Sequence, residues 1–308
     1  MTSSEMVTRM RVSIIVPVLN EQSTIGDLLR SLAKLNYPRE KTEILVVDSG
    51  SSDNTQQIVR RFQIPLLIEV KKHTSYAARN LGISKSSGDI IAFTDGDCIV
   101  SPSWLNDLVD GFADPKVGGV AGSILPLKPR TIVERFQAMT DEPNHKPNHR
   151  PLPYAVTANV AFKREVFESI GRFDETLPSG SDIDFTLRMQ KSKRYSMRFL
   201  ENAGIVFHRN KLGLRELLRA VQTKGYGYYY LTRKHPDVFP RKPSARVGRE
   251  SFSPRRIGQE LALLTKDGVL FVLRRSDGST MLFEPMYLLW QLAWISGIRK
   301  AERESRLP

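Results

Sequence analysis

The strongest constraint on this chain is a rhythm in its N-terminal third. Four short apolar runs, VSIIVPV (12–18), EILVVD (43–48), LLIEV (66–70) and DIIAF (89–93), are separated by segments with helical spacing. After the first run, Ser23 or Thr24 can cap a helix in which Ile25, Leu28, Leu29 and Leu32 recur on one face. After the second, Asp53 can cap a short helix carrying Ile58, Val59 and Phe62, and SYAARNLGISKS (75–86) makes a third helix. Strands that are apolar throughout are covered on both faces, and strand–helix alternation on this scale predicts an α/β domain with parallel strands and right-handed crossovers.

That architecture decides where a ligand would bind. In open α/β sheets the site lies beyond the carboxyl ends of the strands. Asn20 and Glu21 follow the first strand, Asp48 ends the second, and Asp95 and Asp97 follow the fourth, so all are expected on one edge. Arg79 and Asn80 sit in the helix that should pass near it. The triplet Asp95-Gly96-Asp97 has two readings: a turn in which aspartates bond the backbone, or two hard oxygen donors for Mg²⁺ or Mn²⁺. Asp48 alone could be part of a helix cap, or could accept a hydrogen bond from a base or ribose.

Beyond residue 102 the pattern loosens. A helix (102–113), a glycine-rich strand (117–124) and a helix near 130–140 are expected, then a proline-rich loop (141–153) with His145 and His149 solvated. ANVAFKREVFESIGRFDE (158–175) reads as strand then helix, with Gly171 as the stop. SGSDIDFTLRMQ (179–190) begins another helix with Ser181 or Asp182 at its start. Cys98 is the only cysteine, which excludes an internal disulfide and a zinc site built from cysteines. The N-terminus has no signal-peptide layout.

SIIVPVLNE, EILVVDSGSSDNT, AARNLGISKSSGDIIAFTDGDC, TANVAFKREVFESIGRFDE and SDIDFTLRM together resemble a family 2 glycosyltransferase of the GT-A fold, over roughly residues 11–208. The resemblance implies a Rossmann-like mixed sheet flanked by helices. It implies inverting transfer of a sugar from a UDP- or GDP-linked donor, with a divalent metal, Mn²⁺ or Mg²⁺, held at the D-x-D motif. Carried over by position, Pro17, Asn20, Glu21, Asp48, Arg79, Asp95 and Gly96 are nucleotide-sugar contacts. Asp95, Asp97 and His208 are the metal set, with Asp97 the more direct ligand. Asp182 is the general base, and Asp184 is structural. Two departures stand out: Ser181 replaces the family's usual glutamate, which bears on acceptor binding, and Thr157 stands where glycine is common. The missing glutamate also keeps open a non-catalytic nucleotide-sugar-binding or scaffold protein. A nucleotidyltransferase would carry a glycine-rich phosphate loop after the first strand, and VPVLNEQST has none.

The tail differs in charge. Residues 1–208 carry 26 basic and 24 acidic residues, whereas 209–256 carry 13 and 3, so most of the net charge of +13 lies in that block. A basic segment suits a polyanionic surface; no nucleic-acid motif accompanies it, and nucleic acid is not an expected partner. A helix is expected over 212–236 and a basic connector over 239–256. PMYLLWQLAWISGI (285–298) has no charged residue but is shorter than the ~20 residues a spanning helix needs. It either lies in a membrane interface with Tyr287, Trp290 and Trp294 at headgroup level or packs on protein. Residues 1–10 are thus read as a tail, 11–208 as the GT-A domain and 209–308 as a basic helical extension. Peripheral contact with the cytoplasmic face of the cell membrane, a glycan or lipid-linked acceptor, and self-association are the expected partnerships.

Overall fold

The computed structural model describes residues 10–140, 152–239 and 278–306, which leaves the basic connector, His145 and His149 outside the described residues. The chain divides into two units. The first holds the described residues 10–127, 152–176 and 181–209; the second holds 128–140, 177–180, 210–239 and 278–306. The boundary read at 208/209 falls at 209/210, and the helix near 130–140 belongs with the second unit.

The first unit is built on a seven-stranded sheet. Strands β1 (Val12–Val18), β2 (Thr42–Asp48), β3 (Leu66–Ile68) and β4 (Ile90–Thr94) follow the four apolar runs, and β1 is buried at every position. They pair in parallel: β1 with β2 and β4, and β2 with β3. β3 stops at Ile68 rather than Val70 because Glu69 turns the chain, its carboxylate accepting the N–H groups of Lys71, Lys72 and His73. The sheet as a whole is mixed. Beyond β4 comes β8 (Asn159–Lys163), antiparallel to β4 and to β6 (Val117–Ala121), and β9 (Ser196–Phe199) closes the order 3-2-1-4-8-6-9. β1 is the point where the strand order reverses, so the crevice at the carboxyl ends opens beside it.

The single glycine-rich strand expected over 117–124 is two strands in two sheets. Gly122 is the reason: a Cβ there would come within 2.2 Å of the Gly204 carbonyl oxygen. The Asn159 side chain clamps the same crossing by donating to the carbonyls of Ser123 and Gly204. Past Gly122 the chain enters β7 (Ile124–Pro126), the partner of β10 (Val206–His208). β10 also pairs antiparallel with β5 (Cys98–Val100), setting Cys98 opposite His208.

The helices follow their apolar spacing. α1 (Ile25–Leu32) buries Ile25, Leu28, Leu29 and Leu32. α2 (Thr55–Arg61) starts after Asn54; Asp53 supports it from one residue back, accepting the Thr55 N–H at 2.9 Å. α3 (Ser75–Lys85) is capped by Thr74, whose hydroxyl accepts the Ala77 N–H at 3.1 Å. α4 (Trp104–Asp110) precedes β6. In the second unit, α5 (Ile132–Thr140) is the helix near 130–140. Back in the first, α6 (Arg164–Ile170) ends at Gly171, whose φ of 88° only glycine adopts freely. α7 (Ser181–Lys191) follows.

The rest of the second unit is α8 (Leu214–Lys234) and α9 (Gly278–Glu304). Their backbones touch where Gly297 meets the Gln222 carbonyl and Gly225 meets Trp294. Tyr287, Trp290 and Trp294 stack in sequence along α9. They join a cluster with Val133, Phe136, Leu217 and Val221 from α5 and α8. Thus the uncharged stretch 285–298 packs on protein, because its glycine and aromatic positions match the face of α8. No helix among the described residues is long and apolar enough to cross a membrane.

Candidate active site

The carboxyl edge around β1 collects the titratable groups that the strand order requires. Asp48 is fully buried at the end of β2. One carboxylate oxygen, Oδ1, accepts the N–H groups of Gly50 and Ser51 and the Gln56 side-chain amide, each at 2.9 Å. The other, Oδ2, is buried with no hydrogen-bond partner. A buried carboxylate oxygen without a donor is costly, and an N–H or O–H of a ligand could satisfy it.

Asn20, at φ 58°, serves the same loop from the other side. Its side-chain oxygen accepts the Ser52 N–H at 2.8 Å, and its own N–H donates to the Ser51 hydroxyl at 2.8 Å. Glu21 accepts from the Thr24 hydroxyl, and its N–H donates to Thr55. Both residues thus bond to the loop and helix start that follow Asp48. Pro17 is buried in β1, paired in register with Val47. A Cβ on Gly96 would meet Val18 at 3.0 Å and Glu21 at 3.1 Å, so the turn between the two aspartates lies close on the end of β1. His73 bonds the Ser49 carbonyl at 2.9 Å through Nδ1 and braces the loop after Asp48.

The two aspartates of the D-x-D triplet have different partners. Arg79 is buried, donates from Nη2 to Asp95 at 2.5 Å, and lies 5.5 Å over the Tyr76 ring. Its Nε is buried without a partner, a second unmet polar atom on this edge. Asp97 faces His208, Oδ1 to Nε2, at 3.5 Å. The Cys98 sulfur is 3.9 Å from the same Asp97 oxygen, and the three residues each place one donor atom within 4.8 Å of the others. Among the described residues this is the one such grouping, and its donors could hold a divalent cation. Asp95 is not part of it. The D-x-D pair is therefore split, one carboxylate meeting an arginine and one meeting a histidine. Burial, with Asp97 and Asp95 nearby, pushes the Cys98 thiol well above its ordinary range.

Asp182 lies in the first turn of α7. Its Oδ2 accepts the Thr157 N–H at 3.1 Å and the Thr157 hydroxyl at 3.2 Å; its Oδ1 accepts the Ile183 N–H at 2.9 Å and lies 3.4 Å from the Tyr76 hydroxyl. Asp184 is fully buried and paired with Arg188 at 2.8 Å, which makes it structural. Ser181 is also fully buried, so the usual glutamate position is enclosed by protein here.

Tyr76, Thr157, Gln56 and Cys98 are site residues that the sequence did not single out for these contacts. For Tyr76 a signal existed: it precedes Arg79 by three residues in a helix and so shares its face. Thr157 was visible only as a departure, and Cys98 only as a thiol adjoining an aspartate.

The model of glycosyl transferase family 2 matches residues 13–171, just over half of the 308 residues, and takes in the strands that carry Asp48, Asp95 and Asp97. The chain belongs to glycosyl transferase family 2. A glycosyltransferase of Haloferax volcanii, AglE, is 37% identical over 195 residues, 61% of this chain and 64% of that protein. The pre-mycofactocin glycosyltransferase of Mycobacterium tuberculosis is 28% identical over 236 residues, 73% of this chain and 48% of that one. The chain thus spans between about half and just under two thirds of these two relatives' lengths. Among solved structures, the mannosyltransferase PcManGT of Pyrobaculum calidifontis, in complex with GDP-Man and Mn²⁺, superposes with a TM-score of 0.64 at 22% identity, over 97% of this chain and 88% of that one. Staphylococcus aureus TarS 1-349 in complex with UDP-GlcNAc gives 0.54 at 18% identity, over 96% and 92%. The fold of this family 2 member is GT-A, a mixed α/β sheet flanked by helices.

Proposed function

We propose that the chain is a metal-dependent, inverting glycosyltransferase that moves a sugar from a UDP- or GDP-linked donor to a hydroxyl acceptor. The observation that carries this is the unpartnered, buried Oδ2 of Asp48 on the same sheet edge as the Asp97–His208 pair. The first fits a base N–H or ribose hydroxyl; the second fits Mn²⁺ or Mg²⁺ beside the diphosphate. Asp97 and His208 would hold the cation, which when bound neutralises charge on the departing diphosphate. PcManGT, crystallised with GDP-Man and Mn²⁺, and TarS, crystallised with UDP-GlcNAc, supply the two donor classes by analogy of fold.

The remaining roles belong to side chains. Arg79, backed by Asp95 and the Tyr76 ring, offers its unpaired Nε to an anionic or carbonyl oxygen of the donor. Asp182 takes the proton from the acceptor hydroxyl as that oxygen attacks the anomeric carbon and the bond to the diphosphate breaks, which inverts the centre. Thr157 and Tyr76 hold the carboxylate that does this.

Asp48→Asn removes the acceptor facing the base and is expected to weaken nucleoside diphosphate binding by about 1.5–3 kcal/mol, roughly tenfold to a hundredfold. Isothermal titration measures it, and unchanged affinity would move the base elsewhere. Thr157→Val keeps the side-chain shape but deletes the hydroxyl donor to Asp182. Its kcat should fall about tenfold with the donor KM unchanged, and Thr157→Ser should restore it. Equal rates for valine and serine would remove Thr157 from any positioning role.

The acceptor is proposed to be a glycan or a lipid-linked glycan, met at the cytoplasmic membrane face through the basic block 209–256. The support is charge: 13 basic against 3 acidic residues in that block. Flotation with anionic vesicles at low salt should carry the full chain upward, and raising the salt should release it. Failure to float at low salt counts against this part alone.

A further inference from the structure

We infer that Cys98 is a third protein ligand of the cation at Asp97 and His208, giving a mixed oxygen, sulfur and nitrogen site that favours thiophilic transition metals over Mg²⁺. This rests on the metal-dependent reading above and narrows it to a class of ion.

Two features bring the donors together. β5 and β10 are antiparallel with Cys98 directly opposite His208, and directly opposed residues project from the same face of a strand pair. Asp97 adjoins Cys98, and its Oδ1 is 3.5 Å from the His208 Nε2 and 3.9 Å from the Cys98 sulfur. Ligands held about 2.0–2.3 Å from one ion in tetrahedral geometry are roughly 3.3–3.8 Å apart, so the 3.5 Å spacing already suits a shared ion and the 3.9 Å one lies just beyond that range. All three donors fall within 4.8 Å of one another, a small adjustment from closure.

The chemistry of the set differs from that of two carboxylates. Mg²⁺ takes oxygen ligands in a near-ideal octahedron and has little affinity for sulfur. Imidazole and thiolate suit Zn²⁺ and other late first-row ions, whereas Mn²⁺, like Mg²⁺, prefers oxygen ligands. On binding, the Cys98 S–H bond breaks, its electron pair forms the metal–sulfur bond and the proton leaves to solvent; no electron is gained or lost. The competing account is that Cys98 is a packing residue, since it also belongs to the apolar core around Trp104 and Leu105.

One property makes the test clean: the chain has a single cysteine, so any metal–thiolate signal comes from Cys98. The full chain is titrated with Cd²⁺ and followed by ultraviolet difference absorption for the sulfur-to-cadmium charge-transfer band. The band should saturate at one ion per chain, vanish in Cys98→Ser and Cys98→Ala, and need about 10–100-fold more Cd²⁺ in His208→Ala. Zn²⁺ should displace the Cd²⁺ at far lower concentration than Mg²⁺. No band in the wild type, while Mn²⁺ still promotes nucleoside diphosphate binding, overturns the inference and leaves the metal-dependent reading standing. A band of unchanged affinity in both Asp97→Asn and His208→Ala also overturns it, because the sulfur would then bind Cd²⁺ without them. Loss of both the band and any Mn²⁺ effect overturns the metal-dependent reading together with this inference.

Discussion

Asp97→Ala should reduce nucleotide-sugar turnover by at least about 10²–10³-fold, the cost of removing one preorganised group that stabilises transition-state charge. The reason is its place in the site. Asp95 is engaged by Arg79 at 2.5 Å, so Asp97 is the carboxylate of the pair that faces His208. Without it the cation loses its one anionic oxygen in the grouping with Cys98 and His208. Stability should change little, because Asp97 sits in a turn and fills no core position. Release of nucleoside diphosphate from the donor, including slow hydrolysis, is the assay. Asp95→Ala should behave differently: it strips the partner from a buried guanidinium, and because Asp95 itself is 30% exposed the loss of stability should fall below the ~3–5 kcal/mol of a fully buried pair. Two neighbouring aspartates would then separate into a metal phenotype and a folding phenotype.

Asp182→Asn should lower kcat by roughly 10²–10⁴-fold with donor affinity unchanged. An amide of the same shape can still accept from Thr157 through its oxygen, at the cost of the bond from the Ile183 N–H, so the Thr157 contact is kept while the base is lost. The metal and base-binding residues are untouched, which predicts that Mn²⁺-dependent nucleotide binding survives. An unchanged kcat beside an inactive Asp97→Ala would show that another group takes the acceptor proton. If neither substitution alters turnover, the chain is a nucleotide-sugar-binding protein rather than an enzyme.

Much of the frame was legible in advance because burial on both faces leaves an unmistakable pattern. β1, β2 and β4 are apolar runs, and α1 places Ile25, Leu28, Leu29 and Leu32 as its spacing requires. The rule that ligands gather at carboxyl ends then located Asp48, Asp95 and Asp97 without any contact being visible. Pairing partners were not legible. Nothing in VGGVAGSI marks Gly122 as the place where one strand passes into a second sheet, since that break depends on the Gly204 carbonyl 82 residues later. The split of the D-x-D pair was hidden for the same reason: Arg79 and His208 approach from α3 and β10, and only the assembled sheets decide which aspartate each meets. The tail was ambiguous because an aromatic stripe fits either a membrane interface or a protein face. The observed packing rests on Gly225 and Gly297, which carry no meaning until the two helices are placed side by side.

If a divalent cation completes a nucleoside diphosphate site on this edge, a thermal-shift comparison of UDP and GDP, each with Mn²⁺ and with a chelator, reveals it. A ligand at about a hundred times its Kd adds about 2.7 kcal/mol to the folded state, so the unfolding midpoint should rise by roughly 5–10 °C. That rise is expected for at least one of the two nucleotides with Mn²⁺, a much smaller one in chelator, and none in Asp97→Ala. Equal shifts with and without Mn²⁺, or no shift with either nucleotide, would contradict it.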